Sequence, residues 1–269
     1  MIAAAQSSGT IRQYLPAVVV FVGGIALWEL LIRLLEVRAF ILPAPSAIAS
    51  ALVDNWGAGR WPLFASAQTT LFEAVGGLLI GTMVGVTVAF SVARWANARD
   101  AVLPFAVAAN AIPIIAIAPI FNAWFGVTNP VSKMMIAALL VFFPVMINVT
   151  RGLTQVEPSA LELMRSYAAS EWTILRKLRL PNALPFFLTA LKVATTLSLI
   201  GAIVGEYFGG SSAVIGRVVV QSASALRFDV TWAAILLAAV TGIAFYLAIA
   251  GLERVLIPWH ASVRGEAPG

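Results

Sequence analysis

The chain has 269 residues, of which 61% are hydrophobic and only 11% charged, with a mean hydropathy of +0.94. Soluble domains carry about 25% charged residues, so a water-soluble globular fold is excluded and an all-α membrane protein takes its place. Cysteine is absent and His260 is the one histidine, which rules out disulfides, thiolate zinc, iron–sulfur clusters and haem held between two histidines; no metal site is expected. The net charge of +5 sits between apolar runs, where it sets topology and meets anionic membrane lipid. No basic groove interleaved with aromatics points to nucleic acid.

A helix needs about 20 apolar residues to cross the hydrocarbon core, and six segments qualify: 14–35, 69–93, 101–125, 130–149, 184–208 and 230–257. The first is longer than the apolar stretch of a signal peptide, about 7–15 residues. It carries Trp28, Glu29 and Arg33 instead of a small-residue cleavage site, and so reads as a retained span in which Glu29 and Arg33 can pair at i, i+4. The second has Glu73 near its outer end and glycine at 77, 81 and 85; glycine every fourth residue makes a flat strip that admits a close neighbour. The third is broken by Pro104, Pro113 and Pro119, breaks tolerated at membrane depth where neighbours or a cavity satisfy the freed backbone. The fifth repeats the strip with Gly201, Gly205 and Gly209 and carries Lys192 and Glu206. These two charges lie about 21 Å apart along a helix, too far to pair within it. Lys192 is expected to snorkel to the cytoplasmic interface, and His260 with Trp259 to sit at the interface past the sixth span.

With the N-terminus inside, ten of the seventeen Lys and Arg residues fall in cytoplasmic segments and six in outer ones. Both termini are therefore expected in the cytoplasm: a segment 1–13, one transmembrane domain 14–258, and a tail 259–269. Half of the inner ten (Arg151, Arg165, Arg176, Lys177 and Arg179) lie in the stretch 151–183.

That stretch is more than a linker. Pro158 suits a first helical turn, and Leu161, Met164 and Ala168 recur at i, i+3 and i+7 as an apolar stripe. Ser170 is a good N-cap, and Trp172, Leu175 and Leu178 follow until Pro181, which is expected to stop the run. The pattern predicts an amphipathic helix–turn–helix that either lies on lipid headgroups or docks in a groove of another protein.

The stretch resembles the EAA loop of binding-protein-dependent ABC importer permeases. Glu162 stands at the family's Glu position, Ala168 at its Gly position, and Leu178-Arg179-Leu180-Pro181 at its closing position, with the spacing kept. Leu163 and Met164 replace the two alanines. Ala168 in place of glycine makes the turn stiffer or strained, since glycine alone adopts φ > 0 without cost. Elsewhere, Ile41-Leu42-Pro43-Ala44-Pro45-Ser46, Ile112-Pro113 through Trp124-Phe125-Gly126, and Glu206 followed by Gly209-Gly210 and Gly216 are similar to the nitrate, sulfonate, taurine and bicarbonate subfamily. Residues 164–170 look closest to permeases for vitamin-related heterocycles such as thiamine pyrimidine precursors or riboflavin.

The resemblance implies a type I permease fold and a translocation subunit without catalysis of its own. It implies a cytoplasmic ATPase dimer carrying ATP and Mg, a second permease copy, and a periplasmic or lipid-anchored solute-binding protein at a bacterial inner membrane. Leu161, Glu162, Met164, Arg165, Tyr167, Ala168, Ala169, Ser170 and Pro181 would form the ATPase-coupling element, with Glu162 and Arg165 at a cleft rim and Leu161, Met164 and Tyr167 as anchors. Independently, the chain has no Gly-x-x-x-x-Gly-Lys-Ser/Thr phosphate loop. Asn110, Pro113, Phe121, Asn122 and Glu206 are candidates for the path. Every arginine falls in a loop or at a span end, which favours a neutral solute over a sulfonate, taurine or nitrate. An ion-gradient carrier using Glu29, Glu73 and Glu206 leaves the loop without a role. A membrane enzyme lacks a catalytic constellation.

Overall fold

The computed structural model describes residues 5–57, 59–95, 101, 104, 106, 108 and 112–258, and it is helical, with no strand among the described residues. In chain order the helices are α1 (Ala5–Leu34), α2 (Pro45–Asp54), α3 (Leu63–Arg94), α4 (Ile114–Phe125), α5 (Pro130–Thr154), α6 (Pro158–Ser166), α7 (Glu171–Ile174), a π-helical turn (Leu175–Arg179), α8 (Leu180–Tyr207), α9 (Ile215–Ser224) and α10 (Phe228–Leu256). Five helical stretches are long and apolar enough to cross a membrane, namely Leu15–Leu34, Leu63–Arg94, Pro130–Thr154, Glu171–Tyr207 and Phe228–Leu256. The expected third span, 101–125, lies partly outside the described residues. Its described helix, α4, has 12 residues, about 18 Å, short of a crossing of about 30 Å.

The organising element is α5, wedged between α3 and α8. Lipid is as apolar as leucine, so close packing rather than hydrophobic burial holds such helices together, and the two glycine strips supply it. A Cβ on Gly81 would lie 2.5 Å from Ala138 O and 2.8 Å from Val141 Cβ; one on Gly77 would run into Ala137. On the opposite flank a Cβ on Gly201 would lie 2.6 Å from Ala137 Cα, and one on Gly205 2.9 Å from Ile136 Cδ1. The facing residues of α5 (Ile136, Ala137, Val141 and Val145) are fully buried. A second apolar core joins α2, the start of α3, α9 and α10 through Ile48, Trp61, Leu63, Ile215 and Val230. By contrast α1 is peripheral, its apolar window unburied, with Trp28 edge-on to Trp232 at 5.9 Å.

Two expectations are corrected. Pro181 does not stop the helix; α7 runs through the π-helical turn into α8, making one rod from Glu171 to Tyr207. The wide turn ends just before Pro181, which lies in the first turn of α8, and Pro185 follows inside the same helix. Lys192 does not snorkel: its Nζ meets Glu253 Oε2 of α10 at 2.6 Å, both side chains largely buried, so it ties α8 to α10.

Candidate functional site

The loop between α5 and α8 is built on a close approach. A Cβ on Gly152 would lie 2.7 Å from Ala183 Cα, and Asn182 Nδ2 donates to the Gly152 and Gln155 carbonyls at 2.8 and 3.1 Å. The last carbonyls of α5 are thereby satisfied by the first turn of α8. From this base α6 projects, with Pro158 in its first turn. Leu161 and Met164 are half-buried, whereas Glu162, Leu163, Arg165 and Tyr167 are exposed. Leu163 is 56% and Tyr167 77% exposed, and Trp172 on α7 67%, an amount of outward apolar surface that water does not reward.

α6 ends in a Schellman turn. Ala168 N–H donates to Arg165 O at 2.9 Å and Ala169 N–H to Met164 O at 3.1 Å, with Ala168 at φ 51°. This is the left-handed position that glycine usually fills, so the turn is strained rather than rebuilt. Ser170 then caps α7, its Oγ accepting from Thr173 N–H at 3.3 Å. The rod from Glu171 onward carries the turn directly into α8. A cavity of about 570 Å³, lined among others by Arg94, Trp95, Trp172 and Arg179, lies between α7 and the end of α3.

The candidate path residues do not stay together. Asn110 lies outside the described residues. Pro113 is exposed ahead of α4. Phe121 is half-buried, stacks on Phe125 at 6.0 Å and lines an apolar cavity of about 250 Å³ with Ile80, Val84, Met135 and Phe142. Asn122 and Glu206, expected along the path, are both enclosed within the chain. The Asn122 amide donates to Gly205 O at 3.2 Å and accepts from Ser132 Oγ at 2.8 Å, joining α4, α5 and α8.

Glu206 belongs to a buried cluster that sequence reasoning assembled only in part. Glu73 on α3 is buried near it, and Lys133, counted among the outer basic residues, is fully buried near both. The Lys133 ammonium donates to the Val127 carbonyl. Glu206 Oε2 accepts from Gly216 N–H at 2.6 Å, while Glu73 Oε2 and Glu206 Oε1 accept from no donor among the described residues. The signal that could have found Lys133 was its position in the first turn of an apolar helix, three residues after Pro130.

Glu29 also has a definite role. It pairs with Arg33 at 2.6 Å and accepts from Ser46 N–H and Oγ at 3.0 and 2.8 Å. Its carboxylate therefore caps the start of α2, whose own N-cap residue, Ala44, has no side chain to do so.

A family model described as binding-protein-dependent transport system inner membrane component matches residues 77–259. The formylaminopyrimidine transport permease protein ThiX of Halalkalibacterium halodurans is 31% identical, over 87% of this chain and 91% of its own length. The riboflavin transport system permease protein RibX of Chloroflexus aurantiacus is 28% identical, over 87% and 86%. A putative aliphatic sulfonates transport permease protein, SsuC of Bacillus subtilis, is 30% identical, over 93% and 88%.

Proposed function

The chain belongs to the family of binding-protein-dependent transport system inner membrane components, and we propose that it is the permease of an ATP-driven importer whose motor and solute receptor are separate chains. The observation that carries the mechanism is the projecting helix–turn–helix, α6 and α7, with Leu163, Tyr167 and Trp172 turned outward. An apolar helix face flanked by charges fits a groove on a partner. In this reading α6 seats in a cleft of a cytoplasmic ATPase that holds ATP and Mg. Leu161, Met164 and Tyr167 anchor it there with Leu163 beside them, and Glu162 and Arg165 meet the rim. Ala168, Ala169 and Ser170 set the angle to α7, and the rod through Pro181 transmits motion to α8.

The loop side is then cytoplasmic, with both termini, and α2 and α9 lie outside, where a solute-binding protein docks. Six spans, the third at 101–125, pair with those of a second permease copy, and the path runs between them. Phe121 and Asn110 are its candidate contacts. Asn122 and Glu206, being enclosed, position the helices that line it.

For the solute we propose a vitamin-related heterocycle or its precursor, supported by the formylaminopyrimidine and riboflavin relatives and by aromatic rather than charged groups at the open face of α4. An organic sulfonate is the second reading. The SsuC relative favours it, as does Arg217 near the outer end, whose Nε is buried with no partner among the described residues.

Glu162→Lys tests the coupling. Reversing a charge at a docked rim costs about 2–5 kcal/mol, so ATPase docking falls by more than about tenfold. ATP-driven uptake into membrane vesicles should be lost while the protein remains inserted, as read by membrane fractionation. Transport retained by Glu162→Lys in ATP-free vesicles would instead identify a gradient-driven carrier.

A further inference from the structure

α9 is not capped by its own sequence. Val214 occupies its N-cap position without a capping side chain, and an unpaired N–H in so enclosed a place is costly. Other helices satisfy it: Ile215 N–H donates to Thr70 Oγ1 of α3 at 3.0 Å, and Gly216 N–H to Glu206 Oε2 of α8 at 2.6 Å. A carboxylate also suits the positive end of a helix. The seat leaves no slack, since a Cβ on Gly216 would lie 2.6 Å from Glu206 Cβ and 2.8 Å from Ile203 O.

The two ends of α9 are held differently. At the far end Ser222 Oγ and Thr231 Oγ1 are 2.7 Å apart, and Arg227 N–H donates to Ser222 O at 2.9 Å, so α9 is fastened to α10. Among the described residues the near end's hydrogen bonds to other helices are the two caps alone, and it follows the segment Gly209-Gly210-Ser211-Ser212, in which Gly209 packs closely on Val127 and Ser211 and Ser212 are exposed.

We propose that α9 is a hinged outer gate, latched at its start by Thr70 and Glu206 and pivoting on its fastened end beside α10 when ATP drives the transporter open outward. This rests on the permease reading above, and Thr70, Glu206 and Gly216 act as positioning residues.

The chain has no cysteine, so Val218→Cys introduces the single thiol, at a fully buried position on the inward face of α9. The complex purified with its ATPase is treated with a membrane-impermeant maleimide at rest and after trapping with ATP and vanadate. The gate predicts slow labelling at rest and labelling faster by about tenfold or more in the trapped state. Adding Thr70→Val should raise the resting rate by about tenfold, the size of effect a lost helix cap gives, and Thr70→Ser, which keeps the acceptor, should restore slow labelling. The resting and trapped rates of Val218→Cys decide the question even if Thr70→Val fails to insert. Equal rates in both states, in a complex that hydrolyses ATP, would overturn the gate and leave the permease intact. A chain that recruits no ATPase would overturn the permease reading itself.

Discussion

Ala168 shows how a single residue sets the coupling loop. Its φ of 51° lies where a side chain crowds the following carbonyl, at a cost of about 1–2 kcal/mol. The Schellman turn that requires it satisfies two carbonyls of α6, so the backbone bonds prevail over the side chain's preference. Replacing Ala168 with Gly should therefore stabilise the turn by up to about 1 kcal/mol, the relief of strain being offset in part by a freer unfolded chain. Ala168→Val, branched at Cβ, should destabilise it by more than that. Hydrogen exchange at the Ala169 amide, which donates to Met164 O, reads the opening of this turn directly: protection should rise with Gly and fall with Val. The sequence showed that a glycine was missing from this position; whether the chain would rebuild the turn or bear the strain depended on the competing bonds, which only the folded geometry displays.

At the scale of elements, the two glycine strips were legible because a repeat of four on a helix has one physical use in a membrane, close approach. Their partner was not, since nothing in the strips names α5 as the helix that both embrace. Gly81→Leu should be severely destabilising: the new side chain begins 2.5 Å from a backbone carbonyl of α5, which cannot retreat as a flexible side chain would. Overpacking costs about 1–3 kcal/mol and sometimes more, so the apparent melting temperature in detergent should fall, whereas Gly251→Ala, with nothing within 4 Å, should leave it unchanged. The short helices α2 and α9 were invisible for a related reason. Neither starts with a capping side chain of its own. Each borrows a glutamate from a long helix instead, Glu29 for α2 and Glu206 for α9. Two acids in apolar segments are thus the missing caps of the short helices that follow them, 17 and 10 residues on. The Lys192–Glu253 pair has the same lesson, its members separated by 61 residues.

For the whole molecule, composition was decisive for class and the loop for family, because both are written in contiguous residues. The enclosed cluster of Glu73, Lys133 and Glu206 is assembled from three helices, and contiguous reading could only scatter it. What distinguishes an importer subunit from a self-sufficient carrier is the fate of its outward apolar surface. Leu163, Tyr167 and Trp172 project together from one loop, where lipid headgroups or a protein cleft could cover them. A cleft demands a partner of fixed stoichiometry, whereas headgroups demand none. Tagged and extracted in mild detergent from its native cells, the chain should bring away an ATPase subunit and a solute-binding protein, and the ligand of that binding protein would name the solute. Changing Leu163 and Tyr167 together to Ser should remove the ATPase from the purified complex while the binding protein, which meets the opposite end, remains. A chain that comes away alone and still moves solute in ATP-free vesicles would show that the loop rests on lipid and that the energy comes from an ion gradient.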